Sequence, residues 1–414
     1  AYQVRGLARI RQSKFDGAIE DYQKALHYDP ENITLWHNLT LSHIQKKDYN
    51  AAKEDLESLL KVSPRYTRAY LMRGEVSLQQ KDTIAALNDF NKALELDKYD
   101  PDAWAARAIV KLQQAKYAEA EAAAKAVIDC GYFNLMTSRF GAEKDKAGDP
   151  FSDMFKEYNQ NRTSGNMESI WVMQLEYNTT GGGGANEDWT KRAWVPKYYN
   201  EDGFVLADSL GGRGLAQIVP FKWWIDSNDF FASSDIRNSE YNIKRNWYYN
   251  DASSDKYGKK AEITEETWTK FTIYPAVTKF FYGKAEDLSY GGNNKDRMKF
   301  RLAETYLLLA EARLMQNNAQ GAADAINVIR KRANAPEITA KDATIDFLLD
   351  ERIRELVGEE LRRFTLVRTG KLVERVKKYN PHSNTMDEHH TLWPIPQTII
   401  DSNTGAEFPQ NPGY

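Results

Sequence analysis

A single cysteine, Cys130, in 414 residues excludes an internal disulfide and leaves no thiolate cluster for a metal. Long apolar runs are missing too: none approaches the roughly 20 residues a membrane-spanning helix needs. Charge of one sign is not in excess either. The 56 basic and 59 acidic side chains leave a formal net charge of −3, so the clustered basic footprint of a nucleic-acid binder is absent. Nor is there a Gly-x-Ser-x-Gly elbow, a His-Glu-x-x-His helix, a Walker A sequence or a calcium loop. The run Gly181–Gly184 has no Lys-Ser or Lys-Thr at phosphate-loop spacing behind it. His389 and His390, beside Asp387 and Glu388, are the one candidate for a metal. Adjacent histidines are expected to point apart, which favours a solvated segment, so no metal or cofactor is expected. The 59 acidic residues contain no pair whose spacing singles it out for glycoside hydrolysis. Ala1 falls inside a helical pattern without a preceding Met or signal segment, so the natural N-terminus is expected upstream.

What is present is regular at the front. Hydrophobic residues make up 42% and charged residues 28%, the balance of a globular chain. Residues 1–130 repeat every 34 positions. Tyr2, Trp36, Tyr70 and Trp104 share one register, and Phe15, Tyr49, Thr83 and Tyr117 a second. Ala18, Ala52, Ala86 and Ala120 follow, then Tyr22, Leu56, Phe90 and Ala124, with the small residues Gly6, Thr40, Gly74 and Ala108. This is the tetratricopeptide (TPR) pattern of helical hairpins. Small residues allow close helix approach while aromatic and Leu positions fill the seam, and Pro30 and Pro64 mark turns. The aromatics are expected to pack, and such an array is a scaffold whose concave face suits a peptide or protein.

The pattern changes after Gly131. Residues 131–296 are rich in Gly, Asn, Asp, Ser and aromatics, with brief strands expected at Ser169–Leu175 and Thr269–Tyr274. Trp189, Trp194, Trp223, Trp224, Trp247, Tyr248, Tyr249 and Tyr290 are the candidate ligand-binding residues. Flat rings with a polar edge suit the apolar faces of sugars, and also peptides. The bland alternative is that most brace loops against the helical body. Trp223-Trp224 and Trp247-Tyr248-Tyr249 stand out, because neighbouring rings cannot all point into one core.

Helical periodicity returns over residues 297–414. The segments 300–312 and 319–330 read as another hairpin, followed by a terminal helix over 346–369. Its Leu349, Ile353, Leu356, Leu361 and Phe364 fall on one apolar face, and Gly370 is suited to a left-handed stop. Arg352, Arg354, Arg362, Arg363 and Arg368 interleave with Glu351, Glu355, Glu359 and Glu360, expected to form a solvated face of weak helix pairs. Beyond lies an extended tail, Leu392-Trp393-Pro394-Ile395-Pro396-Gln397, ending at Pro409-Gln410-Asn411-Pro412-Gly413-Tyr414.

The wording from Asp350 to Gly370 and of this tail closely resembles the C-terminal signature of the SusD/RagB family. Arg301-Leu302-Ala303-Glu304, Asn327-Val328-Ile329-Arg330 with Arg332-Ala333, and Asp235-Ile236-Arg237 resemble further family elements, so the likeness covers about residues 104–414. It implies a mainly α fold: TPR hairpins in a right-handed superhelical scaffold plus a loop-rich region with a few short strands. It implies a non-catalytic, surface-exposed outer-membrane lipoprotein that binds a glycan and delivers it to a SusC-like TonB-dependent transporter. The membrane would be reached only through a lipid anchor outside this sequence, and peptide is the family's other cargo. The front departs from the family, whose first repeats are heavily diverged. Two readings stay open: a truncated member with tidy repeats, or residues 1–103 drawn from a separate TPR protein that joins near Asp100-Pro101. A TPR adaptor acting through residues 1–130 is the alternative function.

Overall fold

The computed structural model describes residues 2–12, 14–113, 116–175, 189–227, 229–282, 288–289, 292–293, 295–383, 385–395, 410–411 and 413. The tetraglycine run, Tyr290 and the tail from Pro396 to Pro409 lie outside the described residues.

Eight helices open the chain: α1 (Tyr2–Arg11), α2 (Phe15–Tyr28), α3 (Ile33–Gln45), α4 (Tyr49–Val62), α5 (Thr67–Gln79), α6 (Thr83–Leu96), α7 (Pro101–Gln113) and α8 (Tyr117–Asp129). They pair as four antiparallel hairpins stacked in order. The 34-residue registers map onto this packing. Tyr22, Leu56, Phe90 and Ala124 are all buried, and Tyr22 and Phe90 face the glycine sixteen positions earlier. Size tracks this spacing: glycines (Gly6, Gly74) face the large rings of Tyr22 and Phe90, whereas Thr40 and Ala108 stand sixteen positions before the smaller Leu56 and Ala124. A Cβ on Gly74 would lie 2.4 Å from Phe90 Cε1, closer than any real contact. The first register straps each repeat to the turn before it. Trp36 Nε1 donates to the Pro30 carbonyl at 2.7 Å, Tyr70 Oη to Pro64 at 3.1 Å and Trp104 Nε1 to Lys98 at 2.9 Å. Asn32, Asp48 and Asp82 cap α3, α4 and α6 by accepting a backbone N–H of the first turn. A further 34-residue register was not read from the sequence: Asp21, Asp55 and Asp89 are buried and met by Arg5 and Arg9, His43, and Arg73.

After α8 the chain leaves for the irregular stretch of 131–296. It holds short helices α9 (Pro150–Asp153), α10 (Thr190–Trp194), α11 (Lys222–Ile225) and α12 (Glu265–Thr269). Its strands make three two-stranded antiparallel ribbons: β1 (Ser169–Met173) with β6 (Arg297–Arg301), β2 (Ile243–Lys244) with β5 (Ala276–Val277), and β3 (Trp247–Tyr248) with β4 (Lys260–Ala261). The strand expected over 169–175 is β1. The one expected over 269–274 is not there. Thr264 starts α12 with a capping box, so 265–269 is helical and the strand falls at 276–277 instead. The chain then returns through β6 into α13 (Leu302–Met315) and α14 (Ala319–Arg332). These form a fifth hairpin, with α13 packed on α7 and α8.

The chain divides into two compact units, one of residues 1–219 and 231–355, the other of residues 220–230 and 356–414. The expected helix over 346–369 is two: α15 (Ile345–Leu356) and α16 (Arg362–Arg368), followed by α17 (Leu372–Tyr379). Gly358 at φ +76 turns the chain between them. Leu361 and Phe364 are consequently 74% and 53% exposed, not on one apolar face with Leu356. The left-handed stop at Gly370 is observed, at φ +68.

The charged residues of α15 do not form a solvated face. Glu351, Arg352 and Glu355 are at most 1% exposed. Arg237 Nη1 donates to Glu351 at 2.8 Å and Glu355 at 3.0 Å, and its Nη2 donates to Asp235 at 2.7 Å. Arg301 bridges Glu168 at 2.6 Å to Glu355, which also takes Arg332. Arg330 and Arg354 complete the other oxygen of Glu351 at 2.9 and 3.0 Å. Burial alone would push both glutamates up, but the guanidiniums outweigh it and hold each below the ordinary carboxylate range. The sequence pattern showed alternating charge; it did not show that Arg237, Arg301 and Arg332 arrive from elsewhere to dry it out.

Two measurements follow from this packing. Glu355→Gln is expected to cost about 3–5 kcal/mol in urea unfolding at pH 7, since it strands buried guanidiniums. Glu355's folded value lies below its unfolded one. Its contribution is therefore complete above about pH 4.5 and fades as acid is added, so the gap to wild type should narrow there; equal stabilities at pH 7 would contradict this. In the seam, Gly74→Ala should destabilise by about 1–3 kcal/mol. Combining it with Phe90→Leu should cost less than the sum of the two single changes, by about 1 kcal/mol in a double-mutant cycle.

Candidate functional site

The rings singled out from the sequence have separate fates. Trp247 is fully buried. It stacks on Tyr198 at 5.9 Å, and its Nε1 donates to the Tyr274 carbonyl at 3.0 Å. Its neighbour Tyr248 points the other way, as alternation along a strand requires, and is 51% exposed. Tyr249 turns back inward against Phe204 at 4.9 Å. The sequence expectation that these three cannot share a core is met.

Tyr198, Phe204, Trp247, Trp268 and Tyr274 form an aromatic base beneath three loops. Burial pushes Tyr198 up to about 12, and Tyr274 higher still, so both phenols stay neutral, and Tyr198 Oη donates to the Ala207 carbonyl at 3.0 Å. The loops are bound to one another. Asn250 exchanges two hydrogen bonds of 2.9 Å with the backbone of Val205, and Lys256 pairs with Asp202 at 2.7 Å. Lys197 N donates to the Phe271 carbonyl at 3.0 Å. Gly258 at φ +73 closes the β3–β4 turn. On this base Tyr248, Tyr257 and Phe271 are exposed. Tyr257 and Phe271 were not singled out from the sequence: a lone aromatic in a polar loop carries no periodicity that distinguishes an outward ring from a brace.

Trp189 is exposed and carries Arg192 over one face at 4.4 Å. Trp194 is half-buried against Phe280 at 5.2 Å. Trp223 and Trp224 belong to the unit of 220–230 and 356–414. There Trp223 lies flat on Tyr379 at 4.0 Å and meets Phe230 edge-on, while Trp224 is buried. Trp224 and Trp247 therefore support the surface rather than form it. In the same unit Arg363 lies over Trp393 at 4.3 Å, and Gln410 clamps both backbone groups of Ile395.

His389 and His390 do not point apart: their rings lie 3.8 Å from each other, because the capping box at Asp387 turns His390 back over the segment. Among the described residues no group of three or more His, Cys, Asp or Glu side chains is arranged to hold a metal. No helix there is long and apolar enough to cross a membrane.

Comparison with known proteins gives this architecture a context. Tetratricopeptide repeat families match residues 6–43 and 37–101. A curated relative, SusD-like protein P25 of Formosa agariphila, is 29% identical over 141 residues, 31% of this chain and 27% of that protein's length. Surface glycan-binding protein A from Bacteroides thetaiotaomicron, solved in complex with laminarihexaose, superposes with a TM-score of 0.63. It is 18% identical, over 88% of this chain and 84% of that one. Surface glycan-binding protein A from Bacteroides fluxus superposes with a TM-score of 0.56 at 21% identity, over 98% and 85%. These likenesses show the SusD-like fold across the repeats and the loop region together. The SusD family itself matches residues 151–414, well over half of the sequence, and the chain belongs to that family.

Proposed function

We propose that this protein is a non-catalytic glycan-binding protein of the cell surface. The observation that carries the reading is the aromatic base of residues 198–274, which holds Tyr248, Tyr257 and Phe271 outward on mutually bonded loops. Rigidly presented rings lose little entropy on stacking against a sugar. Membership of the SusD family and the laminarihexaose complex of a structural neighbour support glycan as the ligand class. Delivery to a SusC-like TonB-dependent transporter, and surface attachment through a lipid anchor, are the family-level parts of the proposal. Trp189 and Trp194 are the remaining candidate contacts, with Trp223 a separate one on the other unit.

Affinity electrophoresis in β-glucan gels, with calorimetry on laminarihexaose, tests this. Tyr248→Ala and Tyr257→Ala should each weaken binding by about tenfold, a loss of roughly 1.4 kcal/mol, with unfolding curves unchanged. Trp247→Ala should abolish binding and destabilise the loops together, since it removes their base. Unchanged affinity in Tyr248→Ala, Tyr257→Ala and Trp189→Ala would remove the site assignment. Binding to peptides but to no polysaccharide would replace the ligand class. A reducing-sugar assay on any bound glycan is expected to show no release.

A further inference from the structure

The β1–β6 ribbon meets the repeat array at a cluster of charge that the proposed ligand site does not use. Arg68 on α5 and Asp102 on α7 occupy equivalent positions in successive repeats, 34 residues apart, and pair at 3.3 Å. The same guanidinium lies over the ring of Trp171 on β1, 5.2 Å from its centre. Trp171 is held in turn by stacking on Phe300 of β6, its cross-strand partner. One cation thus joins the array to the ribbon, and it is shared between a carboxylate and a ring.

Asp102 is poorly satisfied. Its Oδ1 is buried without a hydrogen-bond partner, and Arg68 reaches only the other oxygen. Its surroundings are acidic. Asp100 sits two residues before it in the same helix start, and Glu75 faces it from α5. Of the other charges on the packed elements, Asp89 on α6 pairs with Arg73, Glu119 on α8 with Lys111, and Glu121 on α8 with Arg313 of α13, while Arg107 on α7 lies over Trp104. On β6, Arg301 pairs with Glu168 and Glu355, and Arg297 and Lys299 are the other cations. β1 brings no ionisable side chain. Burial, and then Arg68 beside it, shift His37 on α3 toward its neutral form.

We propose that Asp102, Arg68 and Trp171 form a proton-controlled joint between the repeat array and the β1–β6 ribbon, tighter in mild acid than at neutral pH. When Asp102 is charged, it repels Asp100 and Glu75 and draws Arg68 away from the ring. A proton on its unpartnered oxygen removes that repulsion, supplies a donor and frees the guanidinium for Trp171. Burial first, then Asp100 and Glu75 with Arg68 opposing, pushes the Asp102 carboxyl up to about 6. Because this folded value lies above the ordinary one, a charged Asp102 works against the packed arrangement around it, and that cost is relieved as pH falls through about 6. The ribbon runs directly into α13, so the joint bears on how the irregular region is carried by the array.

Amide hydrogen exchange of residues 169–173 in the full chain, corrected for the intrinsic rate, tests the joint. Protection should rise by about threefold or more from pH 7.5 to 5.5, a fraction of the roughly hundredfold that releasing a two-unit shift would give. Asp102→Asn should be flat over this range and protected at pH 7.5 as wild type is at pH 5.5. Glu75→Gln should keep the transition but move its midpoint down. Exchange without pH dependence in wild type, a dependence that survives in Asp102→Asn, or an unmoved midpoint in Glu75→Gln would each overturn the proposal.

Discussion

Four carboxylates and five guanidiniums withdrawn from water can persist only if each keeps its partners, and that requirement fixes where distant stretches of chain must meet. Glu168 follows the first repeats, Asp235 and Arg237 lie deep in the irregular region, and Arg301 ends β6 just before α13. Arg330 and Arg332 end α14, and Glu351, Arg354 and Glu355 are on α15. No hydrophobic contact is so intolerant of misplacement, because an unpaired buried charge costs several kcal/mol where a displaced methyl costs about one. The network is weak evidence for stability as such. A hydrophobic substitute of the same volume would serve nearly as well energetically, but it would not specify which segment goes where. An irregular stretch of some 165 residues between the fourth and fifth hairpins is the setting in which such specification matters most.

This also explains what was legible in the sequence. The repeats announce themselves because each buried seam position recurs at a fixed spacing, and Tyr22, Leu56 and Phe90 are read correctly from that alone. Glu351 and Glu355 were misread because one helix's residues display its charge and not its burial. One partner that buries them both, Arg237, is encoded more than a hundred positions away, and Arg301, Arg330 and Arg332 come from other elements. The signal was nevertheless present. The segments that carry the family resemblance are spelled largely in Arg, Asp and Glu, yet none matches a catalytic or metal pattern. Asp235, Arg237, Arg301, Arg330, Arg332, Glu351, Arg354 and Glu355 from those segments converge, so that part of the signature describes how the molecule is assembled and not what it binds.

The candidate ligand surface follows the opposite logic. Its rings obey no long-range rule; their fate is settled by strand alternation and by which neighbour reaches them first. Trp247 is buried and Tyr248 exposed because β3 is two residues long and paired, which sends adjacent side chains to opposite faces. Composition could mark 185–290 as rich in aromatics, but only the ribbon's register separates the base from the surface. Under the proposed function, ligand identity rests with loops that the family signature does not constrain, the arrangement by which one scaffold can serve many ligands.

The two kinds of order meet at the β1–β6 ribbon. β6 delivers Arg301 into the charged network, while β1 sets Trp171 against the repeat array through Arg68. The ribbon is thus tied at one end to a network of several interlocked ion pairs and at the other to a joint with a single one, where Asp102 keeps a buried oxygen unpaired. An element anchored so unequally has its freedom confined to its weaker end. Any change of charge at Asp102 is expressed there and not in the network, because Glu355 is held ionised far below the range in which Asp102 titrates. The molecule's response to protons near neutrality is in this way kept apart from the ion pairs that hold it together.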